Sequence, residues 1–189
     1  MNQAIVNIMV DRIQDQFFSE KLFSLQYLDI SYEEWLEWKS GKKALSADKM
    51  QKLKALFSDY EWMLIQKIAR QTIIFPEKRN YIVPEYKRLK ASIAKTWIKS
   101  GLATAELITQ QRAIRAGVDE RNKRNCVNLR ISVNYQEWGY DDILEFFMPE
   151  IIQQQIIDSQ VDLLEWVDEN LSETYIEKNI VVEEEPIEE

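Results

Sequence analysis

Apolar side chains recur every three or four residues through the first part of the chain, and this period predicts a run of helices. Ile5, Ile8, Met9, Ile13 and Phe17 mark one face of an amphipathic helix over 4–18. A second, short helix is predicted from Ser19 through Leu22, Leu25 and Tyr27. Asp29-Ile30-Ser31 supplies a cap, and Ser31-x-x-Glu34 is a capping box for a third helix over 32–39. Ser40-Gly41 ends that helix, glycine being suited to the left-handed position after a helix C-terminus. Ser46 caps a predicted long fourth helix, 47–73. Its core face is Met50, Leu53, Leu56, Phe57, Trp62 (or Tyr60), Leu64, Ile65 and Ile68.

Pro76 and Pro84 bracket a polar stretch that reads as a domain boundary. The division expected is a helix-turn-helix-like helical domain over 1–76, an α/β domain over 84–180 and an acidic tail over 181–189. A helix over 85–99 carries Leu89, Ile93 and Trp97 on one face, and Gly101 stops it. Residues 104–116 fit helix or strand. The clearest strand is 126–138, where Val127, Leu129, Ile131, Val133 and Tyr135 alternate with Asn128, Arg130, Ser132, Asn134 and Gln136. A lone strand is unstable, so 104–116 is the expected partner, through a turn near 118–124. Residues 141–157 and 161–178 read as two further helices. The fold class is α+β and mostly helical, with a helix-turn-helix-like N-terminal domain before a smaller α/β part containing an antiparallel sheet.

Composition narrows the chemistry. Of 189 residues, 46% are hydrophobic, enough for one sizeable core or two small ones. The chain has no histidine, one cysteine (Cys126) and four scattered glycines. Zinc sites of the Cys/His kind and triads of the Ser-His-Asp or Cys-His kind are thereby excluded. The glycines are too far apart for a phosphate-cradling loop. A metal site of carboxylates alone is left open. No catalytic residue, metal or cofactor is expected, and the chain reads as a binding protein rather than an enzyme. No apolar run approaches the ~20 residues of a membrane span. The first ten residues lack the basic start of a signal peptide, and a lone cysteine fits a reducing compartment, so the cytoplasm is expected.

Charge is uneven. Residues 61–130 carry a net +9 and residues 131–189 a net −16, against −8 for the whole chain. The basic middle, with Arg112, Arg115, Arg121, Lys123 and Arg124, is a candidate contact for nucleic acid or an acidic protein surface. The acidic third suits a basic partner, or the two segments neutralise each other within the molecule.

The N-terminal helices are similar to a phage-repressor helix-turn-helix, whose recognition helix lies in the major groove. The corresponding helix here, 32–39, carries Glu33, Glu34 and Glu37 where DNA readers place Arg, Lys, Asn or Gln. Lys39, Lys42 and Lys43 remain as phosphate contacts. Trp35 and Trp38 share one helix face and serve either the domain core or an aromatic hot spot for a protein partner.

Four stretches resemble a streptococcal-phage anti-CRISPR family that inhibits a type II-A CRISPR effector nuclease. They are Trp35-Leu-Glu-Trp38-Lys39-Ser-Gly41, preceded by Ile30; Leu56-Phe57-Ser-Asp59-Tyr60-Glu61-x-Met63-Leu64-Ile65-x-Lys67; Lys95-Thr-Trp97-Ile-Lys99; and Leu164-Glu165-Trp166-Val167-Asp168-Glu169-Asn170-Leu171. Residues 102–159 match poorly, and the basic run within them departs from the family. The resemblance implies a helix-turn-helix-like N-terminal part, an α/β C-terminal part and a homodimer. It implies binding to the nuclease–guide RNA complex that lowers affinity for target DNA without chemistry. Such effectors hold DNA in basic channels, which an acidic binder can cover or restrain.

The expected partner-binding set is therefore Tyr32, Glu34, Trp35, Lys39, Lys42 and Lys43. The expected dimer interface is Leu163, Trp166 and Val167, on the wide apolar face of the last helix, unless that face packs on the sheet of its own chain. The alternatives are a DNA-binding helix-turn-helix transcription regulator and a phage or mobile-element accessory protein.

Overall fold

Four helices of the N-terminal half begin on side chains that satisfy free backbone N–H groups, while Ser46, the expected cap of the fourth, makes no such bond. In the computed structural model, which describes residues 2–108, 125–139 and 141–176, Asn2 accepts from the Ala4 N–H at 2.9 Å and starts α1 (Gln3–Gln16). Ala4, Ile8, Met9 and Ile13 form its buried face. Ser19 starts α2 (Glu20–Leu22), which widens into a π-helical turn, Phe23–Tyr27. Ser31 accepts from the Glu34 N–H at 3.1 Å and starts α3 (Tyr32–Lys39). At the far end Gly41 adopts φ +74°, and the N–H groups of Gly41 and Lys42 return to the carbonyls of Trp38 and Glu37, both at 2.9 Å. That double closure satisfies the last carbonyls of the helix.

The long helix predicted over 47–73 is two helices, α4 (Ala47–Lys54) and α5 (Asp59–Ile74). Ser58 makes the break. Its hydroxyl accepts from the Glu61 N–H at 3.1 Å while Glu61 Oε2 accepts from the Ser58 N–H at 3.2 Å. This capping box starts a new helix inside a stretch whose apolar period runs on. The Ser58 hydroxyl also donates to the Ile143 carbonyl and ties the break to the sheet.

A 3-10 turn, Pro76–Tyr81, leads directly into α6 (Ile82–Lys99), with Pro84 in the first turn, where a missing N–H is tolerated. Strands β1 (Ala103–Ile108), β2 (Cys126–Asn134) and β3 (Asp141–Pro149) form an antiparallel sheet in that order. Leu107 faces Leu129, and Leu129 faces Phe146. Helices α7 (Ile151–Asp158) and α8 (Leu163–Ile176) follow. The molecule is mostly helical α+β, as the sequence predicts. The expected partner strand is present at its start, in β1, while 109–116 and the turn 118–124 lie outside the described residues.

Two boundaries differ from expectation. The strand predicted over 126–138 ends at Asn134, and Gln136–Trp138 is a 3-10 turn with Gln136 at φ +45° and Gly139 at φ +65°. The helix predicted over 141–157 is a strand for its first nine residues and helical only from Ile151. Leu144, Phe146 and Met148 face the core, but Ile143 and Phe147 on the opposite face are also apolar and half-buried. Clean alternation needs one polar face, and β3 lacks it.

Nor does the proline-bracketed stretch separate two cores. Ile8, Ile65 and Ile82 pack in one cluster with Leu129, Phe146, Val167 and Leu171, so elements on both sides of 76–84 share a single interior. The tail expected over 181–189 lies outside the described residues.

Four elements also meet at one buried carboxylate. Glu61 Oε1 on α5 accepts from Arg12 Nη2 on α1 at 2.7 Å, from Lys90 Nζ on α6 at 2.6 Å and from the Glu145 N–H on β3 at 3.1 Å. Lys90 also donates to the Glu145 carbonyl at 2.5 Å. Burial opposes the charge on Glu61, but Arg12 and Lys90 outweigh it and hold the carboxyl below its usual range. For Lys90 burial wins over Glu61 and brings the ammonium down to about 8. Beside this node Lys87 Nζ lies 3.0 Å from Asp11 and 3.8 Å from Asp15. Burial, then the charge of Asp11, push Asp15 up to about 7.

Candidate interaction surface

Two indoles fix the orientation of α3. The rings of Trp35 and Trp38 lie 4.7 Å apart, and Trp35 meets the edge of Phe23 at 5.8 Å. Trp35 is 0% exposed and Trp38 2%. Trp35, expected to touch a partner, is therefore a core residue. The cause is the π-helical turn after α2, which brings Phe23 against it. Trp35 Nε1 also donates to Glu20 Oε2 at 2.9 Å, the oxygen that Lys39 Nζ reaches at 2.6 Å. Burial would raise the Glu20 pKa, but these donors outweigh it and hold the carboxyl below its ordinary value. The Trp38 indole N–H is buried with no hydrogen-bond partner among the described residues.

With both indoles inward, α3 presents Glu33, Leu36 and Glu37 to solvent. Leu36 is 44% exposed. It belongs to the surface, outside the set expected from the sequence. The signal was the three-residue spacing of the tryptophans: if 35 and 38 point inward, 33, 36 and 37 point outward.

The remaining expected residues separate. Lys39 is held by Glu20 and is no free contact. Lys43 pairs with Glu34 at 3.1 Å, both beside the outer face. Lys42 is exposed in the turn after α3, and Tyr32 is half-buried against the core. The surface thus joins Glu33, Glu34, Leu36, Glu37, Lys42 and Lys43, and omits Trp35 and Lys39. Its charges are acidic on the helix and basic in the turn.

The expected dimer residues follow the alternative of packing within their own chain. Trp166 is 4% exposed and Val167 0%, both within the core of their own chain, and Leu163 is half-buried. α8 spends its apolar face on α6 and the sheet, where Tyr175 meets the edge of Phe146 at 5.0 Å. Arg112, Arg115, Arg121, Lys123 and Arg124 lie outside the described residues.

Among the described residues no group of three or more acidic or cysteine side chains is placed to hold a metal ion, and no helix is long and apolar enough to cross a membrane. No protein-family model, curated protein or solved structure matches the chain.

Proposed function

We propose that the protein is a non-catalytic inhibitor that binds a type II CRISPR effector nuclease–guide RNA complex in the bacterial cytoplasm and blocks its capture of target DNA. One observation carries this reading. Helix α3, which the sequence sets beside the DNA-reading helix of phage repressors, presents Glu33, Leu36 and Glu37 to solvent, and two of its three neighbouring lysines are engaged by the chain's own acids. Such a face repels phosphate and suits a basic protein surface with an apolar contact at its centre. DNA channels of these effectors are basic surfaces of that kind. The four stretches that resemble the anti-CRISPR family support the class of partner and a homodimeric state.

Target cleavage by a guide-loaded nuclease, measured with increasing amounts of the protein, tests the reading. Cleavage is expected to fall and the two proteins to co-elute on gel filtration. The variant E33K/L36A/E37K is expected to lose both effects with an unchanged thermal melt. Full cleavage at excess protein would sink the reading for that nuclease. A duplex-DNA gel shift by the wild-type chain that weakens steeply with salt would favour the transcription-regulator alternative instead.

A further inference from the structure

The basic middle of the chain carries a net +9 over residues 61–130, and none of its described cations belongs to the α3 surface. The fold sorts its cations. Lys87 and Lys90 are buried beside carboxylates, Lys78 pairs with Glu85 at 3.3 Å and Arg130 with Glu145 at 2.8 Å. Three others converge. Arg88, Lys95 and Lys99 follow one another along α6, with Ser92 and Thr96 between them. They line an open cleft of about 400 Å³ whose other wall is Ser172 and Ile176 of α8. Lys99 reaches Asp168 at 3.8 Å at one end of this cleft. Arg88 and Lys95 have no acidic partner among the described residues. Thr96 donates to the Ser92 carbonyl at 2.9 Å, and the hydroxyls of Ser92 and Ser172 have no hydrogen-bond partner among the described residues.

We infer that the cleft between α6 and α8 binds the phosphodiester backbone of a nucleic-acid strand. Helical geometry sets the donors in successive turns, about 5.4 Å apart along the axis, so the row meets an extended polyanion rather than a single ion. A guanidinium fork, an ammonium and two hydroxyls supply what phosphate oxygens accept. An acidic peptide would call for apolar pockets or a free strand edge, and among the described residues Ile176 is the one apolar residue lining the cleft. Among the described residues no aromatic ring lines it, so bases find no stacking platform there and recognition is independent of sequence. The site shares no residue with the α3 surface and stands whether or not the inhibitor reading holds.

Fluorescence anisotropy with a labelled single-stranded RNA of mixed sequence tests the site, using the full chain over a salt series. Wild type is expected to bind at low salt. R88E/K95E is expected to weaken binding at least about tenfold and to flatten the slope of log K against log salt by about 1.4, two contacts at ~0.7 each. S172E places a carboxylate in the cleft without removing a cation and is expected to weaken binding similarly. K67E/R70E, exposed cations of α5 outside the cleft, is the charge-matched control and should retain most of the affinity. Circular dichroism melts establish that each variant is folded. No binding by wild type at low salt would overturn the assignment, as would equal affinity of wild type, R88E/K95E and S172E. If RNA bound only to E183Q/E184Q/E185Q, the cleft would belong to the chain's own acidic terminus, and the assignment would fall.

Discussion

Trp35 and Trp38 share one helix face and nearly equal burial, yet their indole N–H groups differ: one donates to Glu20 and the other has no acceptor among the described residues. Leaving a buried donor unpaired costs roughly 1–3 kcal/mol, so the two positions should respond differently to the same change. Trp38→Phe removes the orphan donor and is expected to leave the melting temperature unchanged or higher. Trp35→Phe removes a hydrogen bond to the charged Glu20 carboxylate, which Lys39 still holds, and is expected to cost about 1–2 kcal/mol. Equal losses in thermal melts would show that ring packing alone decides both. Asp15 offers a second test at this scale. Its pKa is raised from 3.8 to about 7 in the folded chain. The folded state therefore holds that proton more tightly, and the stabilisation is complete below about pH 4 and lost as pH rises through about 7. Asp15→Asn removes this dependence. The melting temperature of the variant minus that of wild type is expected to grow between about pH 4 and pH 8, and a constant difference would refute the assignment.

Local and tertiary signals competed at the level of elements, and each boundary that differed shows which one won. Ser58-x-x-Glu61 has the spacing of Ser31-x-x-Glu34, and both cap helices in the structure. Only the second was read, because apolar residues continue through Leu53, Leu56, Phe57 and Leu64 as if one helix ran on. Ser58→Ala removes the cap and the bond to Ile143 together. It is expected to cost about 1–2 kcal/mol in urea denaturation, the range for losing a serine cap. A loss within error of zero would mean that packing alone makes the break. β2 was legible because Asn128, Arg130 and Ser132 keep its outer face polar. β3 was not, because Ile143 and Phe147 give it two apolar faces. The candidate surface was half legible. Glutamates in the reading helix were plain in the sequence. The inward turn of Trp35 depended on Phe23 and Glu20, and no local pattern in α3 reports that contact.

At the scale of the molecule, the Glu61 node joins α1, α5, α6 and β3, and all three charged side chains are at most 3% exposed. Glu61→Ala would leave Arg12 and Lys90 together in the core without a counter-charge, an expected loss of about 3–5 kcal/mol. The apolar replacement R12M/E61L/K90M is expected to recover most of that loss, because the desolvation of all three charges is removed with them. Chemical denaturation of both variants checks the pair. A triple variant as weak as Glu61→Ala would show that the charges hold the four elements in register beyond what packing supplies. The node also fixes an order of events in the life of the chain. A ribosome delivers Arg12 and Glu61 early, Lys90 later, and the Glu145 amide 84 residues after the carboxylate that accepts from it. Until β3 has emerged, the helices of the first half can gather but cannot close over Glu61. Closure of this core therefore waits for β3, and chains arrested before residue 145 should remain open to proteases.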